Sequence, residues 1–340
     1  MRTESLDKIK QLMEAALHLR GISGPDAEVL IEDFLGAQLS EKFTHGLGKF
    51  LLLDAALNER VGRPKVERTT GAVALVNGNR ELGQLAARFC IDLLANRVAD
   101  HGVAVVGLYN ASRYSRLSTY GDLIAKRGLI GLVMNNAGPP AVAPAGGIDP
   151  IFGTNPICFA FPSADGPITL DFATSEHVWG EIRQAMLEGR DLPPNAFLDK
   201  EGNFTRDPAQ VEAVIAFGGH KGYALCMAIE LLSGALVGGK MGTEVSNQYD
   251  LGFLFLAIDP AAFGVADELP RAVSALLSTV RKSRRAESGV APRIPGDYSR
   301  QRRADWERRG QVLIDDETLD RLRQMSSSLS GGLEVNEKTD

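Results

Sequence analysis

The chain has 340 residues, of which 44% are hydrophobic and 24% charged, enough for a core of two domains or of one large one. Its formal net charge of −6 argues against general nucleic-acid binding. The cysteines Cys90, Cys158 and Cys226 lie far apart without metal-site spacing, so we expect no metal and reduced thiols in a cytoplasmic protein. The charged N-terminus has no apolar run of the signal-peptide kind, and no membrane span is expected.

The first part of the sequence predicts a layer of helices. Apolar residues recur at helical spacing behind Ser5, a residue type that caps helices. Two further helices are predicted, one that starts at 24–26 and ends near Lys42 and one that begins after Thr44 and carries Phe50 and Leu57. We therefore assign residues 1–70 to an N-terminal helical layer.

From residue 71 the pattern changes to short apolar runs separated by helices, which is typical of a mixed α/β domain. The predicted strands are 72–76, 103–108, 130–135, 157–161, 168–172 and 251–258, and the predicted helices are 82–95, 120–127, 221–236 and 268–284. We assign residues 71–285 to this domain and residues 286–340 to a C-terminal segment that packs back on the N-terminal helices. No Gly-x-Gly-x-x-Gly sequence follows a strand in the way that a standard Rossmann site requires.

His45 is the histidine best placed for chemistry. It lies in Thr44-His45-Gly46 between two predicted helices, with Lys49 one turn later. An imidazole at such a junction can face a cleft and titrate near neutral pH, as a proton donor must. The alternative is that this segment only caps a helix.

Three polar segments lie beside predicted strands or helix starts, where α/β enzymes bind ligands. Residues 141–162 contain a Gly-Gly pair and a Gly-Thr-Asn-Pro turn, and residues 171–181 leave a buried strand. Residues 218–223 put glycines and Lys221 at a helix start, a pattern that binds anions. The alternatives are an ordinary surface turn, a helix capped by Thr174 or Ser175, and a flexible loop with a solvated lysine.

Together these segments resemble the type 2 malate/L-lactate dehydrogenase family over nearly the whole chain. That family includes malate, sulfolactate and ureidoglycolate dehydrogenases, diketogulonate reductase and Δ1-piperideine-2-carboxylate reductase. The matching motifs are THG at 44–46, GDLIAKRGLIGLVMNNA at 121–137, VAPAGG with GTNP at 142–156, DFATS at 171–175, GHKGYAL at 219–225 and RIPGD at 293–297.

The resemblance implies a non-Rossmann NAD(P)-binding domain with a mixed sheet, flanked by a helical layer from both chain termini, in a homodimer. It also implies hydride transfer with NAD or NADP as the coenzyme. By position, His45 is the expected proton donor in a relay with Thr44 and Glu181. The substrate-binding positions are Lys49, Arg113, Thr154 and Trp179, and the cofactor-binding positions are Asp171, Phe172, Ala173, Lys221, Arg293 and Gly296.

Four of these positions depart from the family pattern. Lys49 replaces the usual arginine, which keeps the charge but loses bidentate carboxylate binding. Arg113 stands where members have a second active-site histidine; it cannot act as a general base, but it can clamp a carboxylate. Trp179 replaces smaller residues or arginine, and Glu181 stands where piperideine-carboxylate reductases have aspartate and many malate-type members have lysine.

The resemblance and these departures favour an NAD(P)H-dependent reductase that transfers hydride to C2 of a small 2-oxo acid or a cyclic 2-imino acid. The alternatives are a 2-hydroxy-acid dehydrogenase working oxidatively and a degenerate homologue that binds nucleotide without catalysis. The expected partners are a small carboxylate substrate and a second copy of the chain. The choice between NAD and NADP stays open.

Overall fold

The computed structural model describes residues 1–286 and 289–328. Residues 287–288 and 329–340, which include the end of the predicted C-terminal segment, lie outside the described residues. The chain divides into two compact units. The terminal unit consists of Met1–Val61 together with Gly296–Asp340, and the sheet unit consists of Gly62–Pro295.

The secondary structure alternates between helices and strands for most of the chain. The helices are α1 (Leu6–Leu19), α2 (Pro25–Leu39), α3 (Leu47–Phe50), α4 (Leu53–Asn58), α5 (Gly83–His101), α6 (Leu117–Ala125), α7 (Trp179–Glu188), α8 (His220–Ser233), α9 (Glu268–Arg281), α10 (Asp297–Arg309) and α11 (Asp316–Ser327). The strands are β1 (Arg2–Ser5), β2 (Lys65–Thr70), β3 (Val73–Asn77), β4 (Val103–Tyr109), β5 (Ile130–Asn135), β6 (Ile157–Phe161), β7 (Ile168–Phe172), β8 (Phe197–Leu198), β9 (Ala213–Val214), β10 (Gly252–Ile258) and β11 (Gln311–Ile314).

In the terminal unit, the two ends of the chain pack on each other. The Ser5 hydroxyl accepts a hydrogen bond from the backbone N–H of Lys8, so the predicted N-cap of α1 is confirmed. Helix α1 buries Ile9 and Met13 and packs against α11, and β1 pairs antiparallel with β11. Both short strands were outside the prediction, because β1 is polar and gains its partner only from the far end of the chain.

The prediction of a single helix after Thr44 is wrong. The chain forms a 3-10 turn over Phe43–His45, then α3, then α4. The backbone of Gly46, at φ −92° and ψ −140°, separates the turn from α3. Strand β2 was also missed, because its sequence KVERTT is exposed throughout and has no apolar alternation.

The sheet unit is built on seven strands in the order β2-β3-β4-β10-β5-β6-β7. Strands β3 and β4 are parallel and the other neighbours are antiparallel. Helices α5 and α6 pack with the buried residues of one face, and α8 packs with those of the other. The predicted mixed α/β class is confirmed, and β5, β6 and β7 have the predicted bounds.

Candidate active site

The turn that carries Thr44 and His45 follows directly from the end of α2. The N–H of Lys42 donates to the Ala37 carbonyl (2.9 Å) and the N–H of Glu41 donates to the Gln38 carbonyl (3.0 Å), which is a Schellman motif. Glu41 occupies its left-handed position at φ +57°, where glycine is usual, at a cost of about 1–2 kcal/mol. A strained residue therefore stands three positions before Thr44.

Gly46 is required because the side chain of Gln38 fills the space beside it. A Cβ on Gly46 would lie 2.2 Å from Oε1 of Gln38. That oxygen accepts from the N–H of Leu47 (3.0 Å), and the Gln38 amide donates to the Leu313 carbonyl (2.7 Å). The buried Gln38 thus fixes the start of α3, a role that its position inside α2 gives no local signal to predict.

The His45 side chain is exposed and is oriented by its neighbour. Nδ1 of His45 lies 2.9 Å from the Thr44 hydroxyl. When that hydroxyl donates, the proton of the neutral ring lies on Nε2. Lys49 is exposed on α3. Glu181 belongs to the sheet unit, so the relay from Thr44 through His45 to Glu181 stays a prediction.

In the sheet unit, Thr174 joins three of the motif segments. Its N–H and its hydroxyl both donate to the carbonyl of Thr154 (2.9 and 3.0 Å), and the hydroxyl also lies 3.1 Å from the Asn155 carbonyl. The Thr174 carbonyl accepts from the N–H of Phe217 (3.0 Å), which precedes the GHKGYAL motif. The structure therefore brings together DFATS, GTNP and the residues before GHKGYAL.

A buried carboxylate ties the GTNP turn to α8. The Asn155 amide donates to Oε2 of Glu230 (2.6 Å) and to the Cys226 carbonyl (3.1 Å). Oε1 of Glu230 accepts from the N–H of Gly242 (2.8 Å) and from the Asn136 amide (3.3 Å). Glu230 and both asparagines are buried. The sequence did not single out Glu230, because one acidic residue in an apolar helix does not reveal its partners.

Asp171 has a structural role of its own. Its carboxylate accepts from the N–H of Ser118 (2.8 Å) in the first turn of α6, whose N-cap residue Arg116 gives no side-chain capping hydrogen bond. Asp171 therefore caps a helix from a neighbouring strand. Phe172 is 39% exposed and packs edge-on against Phe217, with ring centroids 5.9 Å apart. Ala173, which follows Phe172, is half-buried.

The start of α8 combines exposed glycines with a lysine. Gly218 and Gly219 have positive φ values of 58° and 63°, and Lys221 is exposed in the first turn. A Cβ on Gly222 would lie 1.8 Å from the Phe217 carbonyl oxygen, so the helix start lies close against the preceding chain. Exposed backbone, a helix N-terminus and a lysine fit the diphosphate of a dinucleotide coenzyme.

The other predicted cofactor positions lie near the junction between the units in the sequence. Arg293 is exposed, and the adjacent Ile294 is buried with Ile168 and Leu277. Gly296, at φ +81°, precedes the first residue of α10.

The positions that depart from the family pattern are exposed. Arg113 lies in the loop between β4 and α6, and Trp179 begins α7. Oε2 of Glu181 lies 2.5 Å from Nδ1 of His177, a histidine that sequence reasoning did not propose for the site. The N-cap of α7 is Val178, so the alternative in which Thr174 or Ser175 caps a helix is wrong.

The cysteines are buried and free. Burial raises the pKa of Cys90 and Cys158 strongly and that of Cys226 to about 11, so none is an activated thiolate. Among the described residues, no cluster of His, Cys, Asp or Glu could hold a metal ion. No helix in that part of the chain is both long and apolar enough to cross a membrane.

The mixed α/β fold and the motif segments joined through Thr174 are those of a class of dehydrogenases that use a nicotinamide coenzyme. The model of the malate/L-lactate dehydrogenase family matches residues 5–323, and the chain belongs to this family. It is therefore an oxidoreductase of the dehydrogenase and reductase type.

Relatives with different named activities match the chain. The malate/(S)-sulfolactate dehydrogenase of Methanothermus fervidus is 31% identical over 338 residues, 96% of this chain and 98% of that protein. The Δ1-pyrroline-2-carboxylate reductase 1 of Burkholderia ambifaria is 34% identical over 280 residues, 78% of this chain and 82% of that protein. The solved sulfolactate dehydrogenase of Methanocaldococcus jannaschii has a TM-score of 0.88 at 30% identity and covers 95% of this chain and 96% of its own.

Proposed function

We propose that the protein is an NAD(P)H-dependent reductase that transfers hydride to C2 of a small 2-oxo acid or a cyclic 2-imino acid. The observation that carries this proposal is the joining of DFATS, GTNP and the residues before GHKGYAL through Thr174. Three of the six coenzyme positions, Asp171, Phe172 and Ala173, lie in DFATS, and the pocket position Thr154 lies in GTNP. When bound, the coenzyme supplies the hydride.

We assign coenzyme binding to Asp171, Phe172, Ala173, Lys221, Arg293 and Gly296. The helix N-terminus and Lys221 favour the diphosphate charge. The exposed ring of Phe172, supported by Phe217, offers an apolar surface that excludes water from a flat ring system. Asp171 serves α6 as well as the coenzyme in this assignment.

His45 donates the proton that the carbonyl oxygen or imine nitrogen gains during reduction. Its hydrogen bond with Thr44 supports this role by fixing the ring while the other nitrogen handles the proton. Glu181 is proposed to support the imidazolium charge and is itself held by His177.

Lys49 and Arg113 are proposed to bind the substrate carboxylate, with Thr154 and Trp179 lining the pocket. Arg113 offers the bidentate geometry that Lys49 lacks. A lysine at position 181 would attract a second acidic group of the substrate. The carboxylate of Glu181 repels such a group and therefore favours a neutral or cationic imine over a dicarboxylate.

An assay of reduced-coenzyme oxidation tests the reaction. NADH and NADPH are each tried against 2-oxo acids of two to six carbons and against five- and six-membered cyclic imino acids. We expect turnover with members of one of these substrate classes. Binding of both coenzymes without turnover of any substrate would contradict the proposal and favour a non-catalytic nucleotide-binding homologue.

A second candidate is oxidation of a 2-hydroxy acid, which the malate/(S)-sulfolactate dehydrogenase relative favours. The direction is decided by comparing kcat/KM for reduction and oxidation of the same substrate pair. A clear preference for oxidation at neutral pH would replace the reductive assignment.

With a substrate in hand, His45→Ala tests the proton donor. We expect kcat to fall by about 10²- to 10⁴-fold, as for loss of a general acid, while coenzyme affinity stays unchanged. His18→Ala, an exposed histidine of α1, is the matched control and is expected to keep wild-type turnover. Wild-type kcat in His45→Ala would remove His45 from the mechanism.

We also propose that the protein is a homodimer. The face of α8 and of the turn that follows it exposes apolar side chains, Met227, Leu231, Leu232 and Leu236. Of these, Leu231 is 51% and Leu236 is 64% exposed. A contiguous apolar face of this kind supports a protein partner, and a second copy of the chain is the one proposed.

A further inference from the structure

A carboxylate in the terminal unit receives several hydrogen bonds from one helix. Oε1 of Glu41 accepts from Nε of Arg302 (2.7 Å) and from Nε1 of Trp306 (3.0 Å). Oε2 accepts from the Tyr298 hydroxyl (3.0 Å). All these donors lie on α10, and only 13% of the Glu41 side chain is exposed. We call Glu41 with these three donors the anchor. Its several hydrogen bonds distinguish it from a solvated surface ion pair.

The hydrogen bonds favour the charged form of the Glu41 carboxylate. Burial, the largest influence, raises the pKa of Glu41, but the hydrogen bonds from Arg302, Trp306 and Tyr298 outweigh it and hold that pKa below its ordinary value. The Arg302 guanidinium lies over the rings of Tyr298 and Trp306, 5.9 and 5.8 Å from their centroids. Arg302 therefore contacts both other donors as well as Glu41.

The backbone at Glu41 is the strained point that leads into the His45 turn. A non-glycine residue at φ +57° persists only when its surroundings hold it there. The next residue, Lys42, gives its carbonyl to the N–H of His45 (2.9 Å). The backbone conformation of Glu41 therefore determines the position of the turn that contains Thr44 and His45.

We propose that Glu41 is a positioning residue for the proton donor. Its hydrogen bonds to α10 fix the turn that carries Thr44 and His45. This inference rests on the proposed role of His45. A purely structural ion pair would affect only stability, whereas a positioning residue affects the proton-transfer step itself.

Three substitutions distinguish the contribution of the Glu41 side chain from that of its left-handed backbone conformation. Glu41→Gly accepts the left-handed conformation but loses the anchor, Glu41→Ala loses both, and Glu41→Gln keeps the size but loses the charge. We expect kcat to fall by roughly 10- to 100-fold in Glu41→Gly and Glu41→Ala and less in Glu41→Gln, as for a small misplacement of an acid. The pH profile of kcat/KM should shift, and coenzyme affinity, followed by fluorescence titration, should stay within about twofold.

Asp54→Asn is the matched control. Asp54 pairs with Arg20 through both carboxylate oxygens in the same unit, so its loss tests a structural ion pair that does not touch the turn. We expect this variant to lower the melting temperature and to leave the pH profile of kcat/KM unchanged.

Two further variants keep the test independent of how well Glu41→Ala folds. Arg302→Met and Tyr298→Phe remove donors while Glu41 stays in place, and each should lower kcat in the same direction as Glu41→Gly. Wild-type kcat and pH profile in Glu41→Gly and Arg302→Met, in a protein that His45→Ala inactivates, would overturn this inference alone. Full turnover by His45→Ala would instead overturn the proposed role of His45.

Discussion

Gly46 and Gly48 stand two residues apart beside His45 and have opposite surroundings. A Cβ on Gly46 would lie 2.2 Å from Oε1 and 3.2 Å from Cα of Gln38. A Cβ on Gly48 would meet nothing within 4 Å. Only the first glycine is required by packing, although the sequence shows both in the same short segment.

This difference gives a matched pair of substitutions. Gly46→Ala must displace the Gln38 side chain and break its hydrogen bond to Leu47, so we expect the free energy of unfolding to fall by about 1–3 kcal/mol. We expect Gly48→Ala to raise it by about 0.5–1 kcal/mol, since alanine favours a helix over glycine. Urea unfolding measures both changes. Equal stability of the two variants would show that Gln38 does not fill the space beside Gly46.

At the residue scale, the sequence marks Gly46 as part of a motif but does not reveal the contact that requires a glycine there. The THG motif marks His45 and Gly46, but the contact that demands Gly46 comes from Gln38 in the preceding helix. Gln38 also reaches Leu313 near the other end of the chain. A hydrogen bond across 275 positions leaves no local pattern, and the same holds for the donors that reach Glu41 from α10.

At the scale of elements, prediction succeeds where an element buries a patterned face. The apolar runs of β5, β6 and β7 predict their own bounds, and α1 follows from its spacing and its cap. It fails for β2, which is exposed throughout, and for α3 and α4, which tertiary contacts shape more than helix propensity does.

The hydrogen bond from Asn155 in the GTNP turn to Glu230 in α8 can be tested directly by substitution. Glu230→Gln would turn a donor toward the Asn155 amide or the Gly242 N–H, leaving a buried donor unpaired. We expect the free energy of unfolding to fall by about 1–3 kcal/mol, measured by urea unfolding. Glu244→Gln, an exposed residue of the following loop, is the control and should change stability by less than about 0.5 kcal/mol.

A Glu230→Gln variant with wild-type stability would mean that the amide finds another arrangement. In that case the turn does not depend on the Glu230 carboxylate. If stability falls as expected, KM for coenzyme and substrate should rise together, because Thr154 and Lys221 belong to the turn and the helix that Glu230 joins.

At the scale of the whole molecule, the proposed chemistry is divided between the two units. Thr44, His45, Lys49 and Gly296 belong to the terminal unit, whereas the other proposed site residues belong to the sheet unit. Both ends of the chain build the terminal unit, so the turn that carries His45 shares a unit with residues more than 250 positions away, such as Arg302. The sequence pattern and the family resemblance both predict that the C-terminal segment packs on the N-terminal helices.

Leu231→Glu tests the proposed dimer through the exposed face of α8. Leu231 is 51% exposed in the single chain, and in the proposed dimer a carboxylate there would lose hydration without gaining a partner, so we expect the dimer dissociation constant to rise by at least roughly 100-fold. Size-exclusion chromatography with light scattering should give twice the mass of one chain for the wild type and the mass of a single chain for Leu231→Glu. Leu187→Glu, a 78% exposed leucine of α7, is the control and should keep the wild-type mass. A monomeric wild type, or a Leu231→Glu variant that stays dimeric, would exclude this face as the interface.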